Sequence, residues 1–320
     1  MSKFDAYAHL SISLNPDGTL TRGLNFPKIK ANTDAAASDR VVFKDVTLNV
    51  ETKIWARLFL PTTLPSNDNT VARLPIIIYF HHGGWILLGA DDATSHRDCS
   101  DIASGIPAVV VSVNYRLAPE NRLPEQYHDG IDAIRWVQNQ ATNPEGEQWL
   151  RDYGDFSRCY LYGCESGGNI VFFSALYACG MQLEPLQIAG IILNQPMFGG
   201  VQRTESELLY ATDEIAPLPV FDLLWELALP KGVDRDHRYC NPIQPGPHTE
   251  FLSRIGKCLV IGFGEAALID RQQDFVTMLV AHGARVQANF ADFGFHVINF
   301  VDPRRASEIL SLVKDFIVGL

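Results

Sequence analysis

The chain has 320 residues, of which 47% are hydrophobic and 20% charged, a balance that excludes a disordered or collagen-like protein. Its 26 Lys and Arg residues against 37 Asp and Glu residues give a net charge of −11, which argues against nucleic acid or an anionic membrane as a partner. The first twenty residues lack a signal-peptide pattern, and no apolar run reaches the roughly 18 residues of a membrane span. We therefore expect a cytoplasmic protein.

The six cysteines are scattered, without CxxC or Cys/His ligand spacing, which favours reduced thiols over a structural zinc site. A nucleotide-binding GxGxxG or P-loop motif is also missing, so the sequence predicts neither a cofactor nor a metal. The expected partner is a small-molecule substrate, and the oligomeric state is left open.

Short β-branched runs alternate with segments of helical period, the pattern of an α/β protein with a mainly parallel sheet. The first two strands are predicted to form an antiparallel edge pair, and the third and fourth are apolar enough to be covered on both faces. In chain order the predicted strands are Val41–Leu48, Trp55–Leu60, Leu74–Phe80, Ala108–Val113, Tyr160–Tyr162, Ile188–Leu193, Cys258–Phe263 and Val286–Phe290. The predicted helices are Gln126–Gln140, Gly168–Ala178, Phe221–Leu229, Arg271–His282 and Arg304–Val318.

Two segments interrupt this alternation, residues 1–35 and residues 199–250, the second being rich in Pro, Asp and Asn. We interpret both as a cap over the end of the sheet where open α/β folds bind ligands. The chain has no internal repeat, so residues 1–320 are predicted to form a single domain.

Three motifs follow predicted strands. His81-His82-Gly83-Gly84-Trp85 comes directly after the third strand, where adjacent glycines let backbone N–H groups approach a ligand. A plain turn would account for these residues equally well.

The sharpest motif is Gly163-Cys164-Glu165-Ser166-Gly167, between a predicted strand and a helix. A tight strand–turn–helix needs glycine two residues before and two residues after a strained apex. Gly163 and Gly167 flank Glu165 at that spacing, so a carboxylate is expected where a nucleophilic serine would otherwise lie. Ser166 fits the apex only after a one-residue slip that displaces both glycines.

The third motif, Gly294-Phe295-His296-Val297, follows the last predicted strand. A lone histidine is more often structural than catalytic. Its place in the order nucleophile, acid, histidine nevertheless favours a catalytic role for His296.

Together with Tyr115–Glu120 (YRLAPE) and Asp234–Pro242 (DRDHRYCNP), these motifs resemble the plant carboxylesterase family. This is the hormone-sensitive-lipase-like branch of the α/β-hydrolase fold, which includes the gibberellin receptors. The resemblance runs from about Leu48 to the C-terminus. It implies a mainly parallel eight-stranded sheet flanked by helices, with a helical cap.

Carried over residue by residue, the resemblance implies that three catalytic elements are altered. The family's HGGG loop becomes His81-His82-Gly83-Gly84, the nucleophilic serine aligns with Glu165, and the triad aspartate aligns with Ala266. His296 is retained. Backbone N–H groups of Gly83, Gly84 and Ser166 would still form the oxyanion hole, because such donors do not depend on the apex side chain.

An acyl-enzyme needs a hydroxyl, a base and an orienting carboxylate, and the first and third are missing at their expected places. The leading hypothesis is therefore a non-hydrolytic cyclase or lyase of plant specialised metabolism, in which Glu165 and His296 act as acid and base on a reactive carbonyl or enol of the iridoid, terpenoid or alkaloid type. The alternatives are a small-molecule receptor and a residual carboxylesterase. Six residues are candidates for substrate binding: His82, Trp85, Phe198, Phe221, Trp225 and Phe295.

Overall fold

A computed structural model describes residues 4–34, 36, 38–67, 70–71 and 73–319. Its largest element is an eight-stranded sheet with the order β12-β11-β10-β9-β7-β8-β4-β3. These strands are β3 (Val41–Asn49), β4 (Ile54–Pro61), β7 (Leu74–Phe80), β8 (Val109–Asn114), β9 (Gly154–Cys164), β10 (Ile188–Asn194), β11 (Lys257–Phe263) and β12 (Arg285–Ala291). Two small hairpins lie outside the sheet, β1 (Ile12–Leu14) with β2 (Leu20–Arg22) and β5 (Ser66–Asn67) with β6 (Thr70–Val71).

The predicted architecture is confirmed. All eight predicted strands are present, neighbours from β8 to β12 pair in parallel, and β3 and β4 form the antiparallel edge. β4 also pairs antiparallel with β8, which joins this edge to the parallel part. The central parallel strands β7 and β8 are almost entirely buried, because helices cover both faces of the sheet, whereas the edge strand β12 is partly exposed.

The helices are α1 (Ala6–His9), α2 (Ala93–Gly105), α3 (Glu125–Gln140), α4 (Gln148–Tyr153), α5 (Ser166–Ala178), α6 (Glu205–Leu209), α7 (Leu218–Ala228), α8 (Ile269–Ala281) and α9 (Pro303–Val318). The five predicted helices correspond to α3, α5, α7, α8 and α9. None of the described helices is both long and apolar enough to cross a bilayer.

The YRLAPE segment holds the N-terminal region on the sheet. The Glu120 carboxylate accepts hydrogen bonds from the Leu20 backbone N–H, at 2.9 Å, and from the Arg22 guanidinium, at 2.8 Å. Arg116 forms a charge-assisted pair with the fully buried Asp129 of α3. Both contacts are structural, and neither brings Arg116 or Glu120 to the motif that contains Glu165.

Candidate active site

Glu165 lies at the apex of the turn between β9 and α5. Its backbone is in a left-handed region, with φ 55° and ψ −116°, which is uncommon for a residue with a side chain. Three backbone N–H groups, those of Gly168, Asn169 and Met197, donate to the Glu165 carbonyl oxygen. The strained conformation is thus held by the surrounding chain, as expected of a residue positioned for function.

The glycines on either side of the apex are required by close backbone contact. A Cβ atom at Gly163 would lie 2.0 Å from the carbonyl oxygen of Gly167, and one at Gly167 would lie 2.0 Å from that of Phe80. This packing sets the register of the turn. Ser166 is instead the first residue of α5, where its hydroxyl is buried and makes no hydrogen bond to His296 within the described chain.

The Glu165 carboxylate folds back onto the loop after β7. The Gly83 N–H donates to Glu165 Oε2 at 2.7 Å, and the Gly84 N–H donates to the same oxygen at 3.3 Å. These are two of the groups from which the sequence predicts an oxyanion hole. In this structure the acceptor that they hold is an oxygen of the protein itself.

His296 completes the pair. Its Nε2 lies 3.6 Å from Glu165 Oε1, and both side chains are more than nine-tenths buried. The other ring nitrogen, Nδ1, is buried without a hydrogen-bond partner within the described chain. Glu265 and Asp270 both act elsewhere, because Glu265 accepts from the Gly294 N–H and Asp270 from the Ser206 N–H. Neither carboxylate therefore orients the imidazole.

A residue that the sequence analysis missed, Gln195, fixes the backbone beside His296. Its Oε1 accepts from the Val297 N–H at 2.8 Å, and its Nε2 donates to Asn299 Oδ1 at 3.1 Å. Gln195 is buried and has a φ of 51°. The signal available in the sequence was a polar residue directly after the buried strand β10, the same kind of position that Glu165 has after β9.

The pKa of Glu165 is the balance of opposing effects. Burial favours the neutral acid, but the His296 imidazole and the Gly83 N–H stabilise the anion more, and the pKa falls from 4.5 to about 2. Burial lowers the pKa of His82 to about 4 and that of His81 to about 3. At neutral pH the site therefore contains an ionised carboxylate with two neutral imidazoles on the adjoining loop.

Replacing Glu165 by Gln should change how stability depends on pH. Because the folded-state pKa of Glu165 lies below the unfolded value, the carboxylate stabilises the fold above about pH 4.5, and this contribution is lost as the pH falls through about 2. We expect the stability difference between wild type and Glu165→Gln to shrink by about 3 kcal/mol from pH 6 to pH 2. Urea unfolding across this range measures it, with the exposed Glu214→Gln as a matched control. An equal pH dependence in wild type and Glu165→Gln would contradict the prediction.

The six candidate substrate-binding residues do not form one group. The Phe221 ring of α7 meets the His296 imidazole edge-on, with ring centres 5.2 Å apart, and is the candidate in direct contact with the pair. His82 stacks on Phe300 at 3.9 Å. The others pack in the interior: Trp85 against Trp225, Phe198 against Phe275, and Phe295 against the apolar layer beneath α9.

Helix α7 packs over the candidate site. Besides Phe221, its Leu224 lies so close to Gly84 that a Cβ at the glycine would be 2.5 Å from the leucine Cδ2. Helix α1 packs on α7 in turn. Phe221 and Leu224 of α7 thus lie directly against His296 and Gly84.

The chain has a mainly parallel sheet with a strained apex after β9, N–H donors after β7 and a histidine after β12. This arrangement defines the α/β-hydrolase class of proteins. The model of the α/β-hydrolase-fold family matches residues 77–299. The chain belongs to the plant carboxylesterase family of these hydrolases.

Three similar proteins illustrate this membership. Probable carboxylesterase 9 of Arabidopsis thaliana is 52% identical over 315 residues, which cover 98% of this chain and 97% of the relative. A 3-O-acetylpapaveroxine carboxylesterase of Papaver somniferum is 44% identical, covering 98% of this chain and 99% of its own. Among solved structures, a hyperthermophilic esterase from Pyrobaculum calidifontis has a TM-score of 0.72 and 25% identity, covering 86% of this chain and 84% of its own.

The prediction of a non-hydrolytic cyclase or lyase is wrong. Five relatives that are 38% to 52% identical over nearly the whole chain are all named carboxylesterases or probable carboxylesterases. The prediction gave the replacements at Glu165 and Ala266 more weight than the agreement of the rest of the chain with the family.

Proposed function

We propose that this protein is a slow carboxylesterase of small-molecule esters, in which Glu165 acts as a general base toward water. The observation that carries the proposal is the buried pair of Glu165 and His296, 3.6 Å apart, beside two backbone N–H donors. The names of the relatives support the reaction class.

The reaction begins when the Glu165 carboxylate leaves the N–H groups of Gly83 and Gly84. Rotation of the side chain frees both donors, and the ester carbonyl oxygen of the substrate takes the place of Oε2. A water molecule beside the carboxylate then attacks the acyl carbon while Glu165 accepts its proton. The negative charge that develops on the carbonyl oxygen is stabilised by the two N–H groups.

The tetrahedral intermediate then collapses. The bond from carbon to the alcohol oxygen breaks, and Glu165 returns its proton to the leaving alkoxide, so that one ester and one water give one acid and one alcohol. His296 orients the carboxylate through Nε2. In the resting state, where it accepts from the Gly83 N–H, the carboxylate has a pKa of about 2 and is a weak base, and turnover is correspondingly slow.

Hydrolysis of p-nitrophenyl acetate tests this mechanism. Wild type should exceed Glu165→Gln by about 100-fold or more, since general-base catalysis typically contributes 10² to 10⁴. Ser166→Ala and Glu214→Gln should match wild type. Equal rates for wild type and Glu165→Gln, or loss of activity in Ser166→Ala with fluorophosphonate labelling of Ser166 in wild type, would refute the role of Glu165.

A second candidate is a small-molecule binding protein without turnover. It is favoured by the occupancy of both N–H donors by Glu165, which competes with any substrate oxygen. Two results for the wild type would together support this candidate in place of the esterase. A small ester would raise its unfolding temperature, and no alcohol would be released over hours.

A further inference from the structure

A cavity of about 360 Å³ lies between α2 and α9. Glu165, His296, Gly83 and Gly84 are absent from its lining. Phe300 lines the cavity, and its ring also stacks on that of His82, with ring centres 3.9 Å apart. The volume is at the lower end of the range for small-molecule sites.

The lining of the cavity combines apolar side chains with two carboxyl groups of α2. Ile102, Leu310 and Val313 are apolar, and Asp98 and Asp101 carry the carboxyl groups. The buried Tyr79 hydroxyl donates to Asp98 Oδ2 at 3.1 Å. Among the hydrogen bonds of the described chain this is the one that Asp98 accepts through its side chain, so that the other oxygen, Oδ1, is left available to a ligand.

The charges around the cavity favour a neutral ligand. At the rim, Arg40 is paired with Asp101 at 2.8 Å, and the Arg97 guanidinium donates to the Phe300 carbonyl oxygen at 3.1 Å. The nearby Arg97 cation opposes an ammonium group. Burial raises the pKa of Asp98 to about 7, so that its carboxyl group both donates and accepts hydrogen bonds near neutral pH, as a hydroxyl group does.

We propose that this cavity binds a small, largely apolar molecule with a single hydroxyl group, the hydroxyl hydrogen-bonded to Asp98 and the apolar part against Ile102, Leu310 and Val313. The proposal does not depend on ester hydrolysis. It concerns a second site, separate from the one that contains Glu165.

Titration calorimetry with 2-phenylethanol tests the proposal, with 2-phenylethylamine and phenylacetate as charged probes of similar size. The alcohol should bind saturably, and at least tenfold more tightly than either charged probe. Tighter binding of the amine or the acid, or no saturable binding of the alcohol, would overturn it.

Two variants of α9 locate the bound probe. Ala306 lines the cavity, and Ala306→Phe should fill it and weaken binding of the alcohol more than tenfold. Ser311→Phe places the same side chain on the exposed face of the helix and should bind as wild type does. Glu165→Gln should also bind normally. Unchanged binding in Ala306→Phe, or loss of binding in Glu165→Gln, would place the probe elsewhere and refute the assignment.

Discussion

The double variant Glu165→Ser, Ala266→Asp should hydrolyse p-nitrophenyl acetate about a thousandfold faster than wild type, or more. A hydroxyl at the apex would leave the N–H groups of Gly83 and Gly84 to the substrate oxygen. A carboxylate at position 266 would face a loop that already adjoins the histidine loop, since the Glu265 N–H donates to the Gly294 carbonyl oxygen at 3.0 Å. His296 Nδ1, now buried without a partner, is the atom that such a carboxylate would orient.

The single variants separate the contributions to this gain. Glu165→Ser alone should give a smaller increase, because the imidazole stays without an orienting acid. Ala266→Asp alone should give none, because the apex still lacks a hydroxyl. Fluorophosphonate labelling at position 165, located by mass spectrometry, reports the nucleophile directly. A folded double variant with neither label nor activity would mean that the turn between β9 and α5 does not hold residue 165 in the geometry of a nucleophile.

Gly163→Ala should prevent folding or destabilise the protein by more than about 4 kcal/mol. The new methyl group would lie 2.0 Å from the Gly167 carbonyl oxygen and 2.5 Å from the Gly168 nitrogen, and these backbone atoms leave it no space. Gly180→Ala is the matched control, because its methyl group would meet nothing closer than 3.7 Å. Soluble yield, circular dichroism and urea unfolding measure the difference. A stable Gly163→Ala protein would show that the apex is not Glu165.

The eight strands could be predicted because apolar, β-branched runs of strand length are rare outside a buried sheet. The sequence predicts only Tyr160–Tyr162 for β9, whereas the strand begins at Gly154. The prediction was too short because the first half of the strand is polar and lies nearer the surface. Helix α2 was not predicted. Its sequence is mostly small and polar residues, and the apolar side chains that it buries are confined to a short stripe at Cys99, Ile102 and Ala103.

For the candidate site, the sequence alone predicts the apex, because Gly163 and Gly167 stand at the spacing that a tight elbow requires. The contact of the Glu165 carboxylate with Gly83 and Gly84 could not be predicted. It joins loops about 80 residues apart, and it depends on the neighbouring positions of β7 and β9 in the sheet. The hydrogen bond between Gln195 and the Val297 N–H could not be predicted either, because it depends on how the end of β10 lies beside the loop that carries His296.

The contact of the Glu165 carboxylate with the N–H groups of Gly83 and Gly84 affects the stability of the fold as well as its activity. In a hydrolase with a serine at the apex, the two glycine N–H groups have no protein acceptor until the transition state forms. Such unsatisfied donors lower the stability of the folded protein. In this protein the Glu165 carboxylate accepts from both N–H groups in the resting state, so we expect the contact to stabilise the fold and, in the proposed mechanism, to slow turnover. Variants that regain rapid turnover should accordingly melt at lower temperatures than their parent.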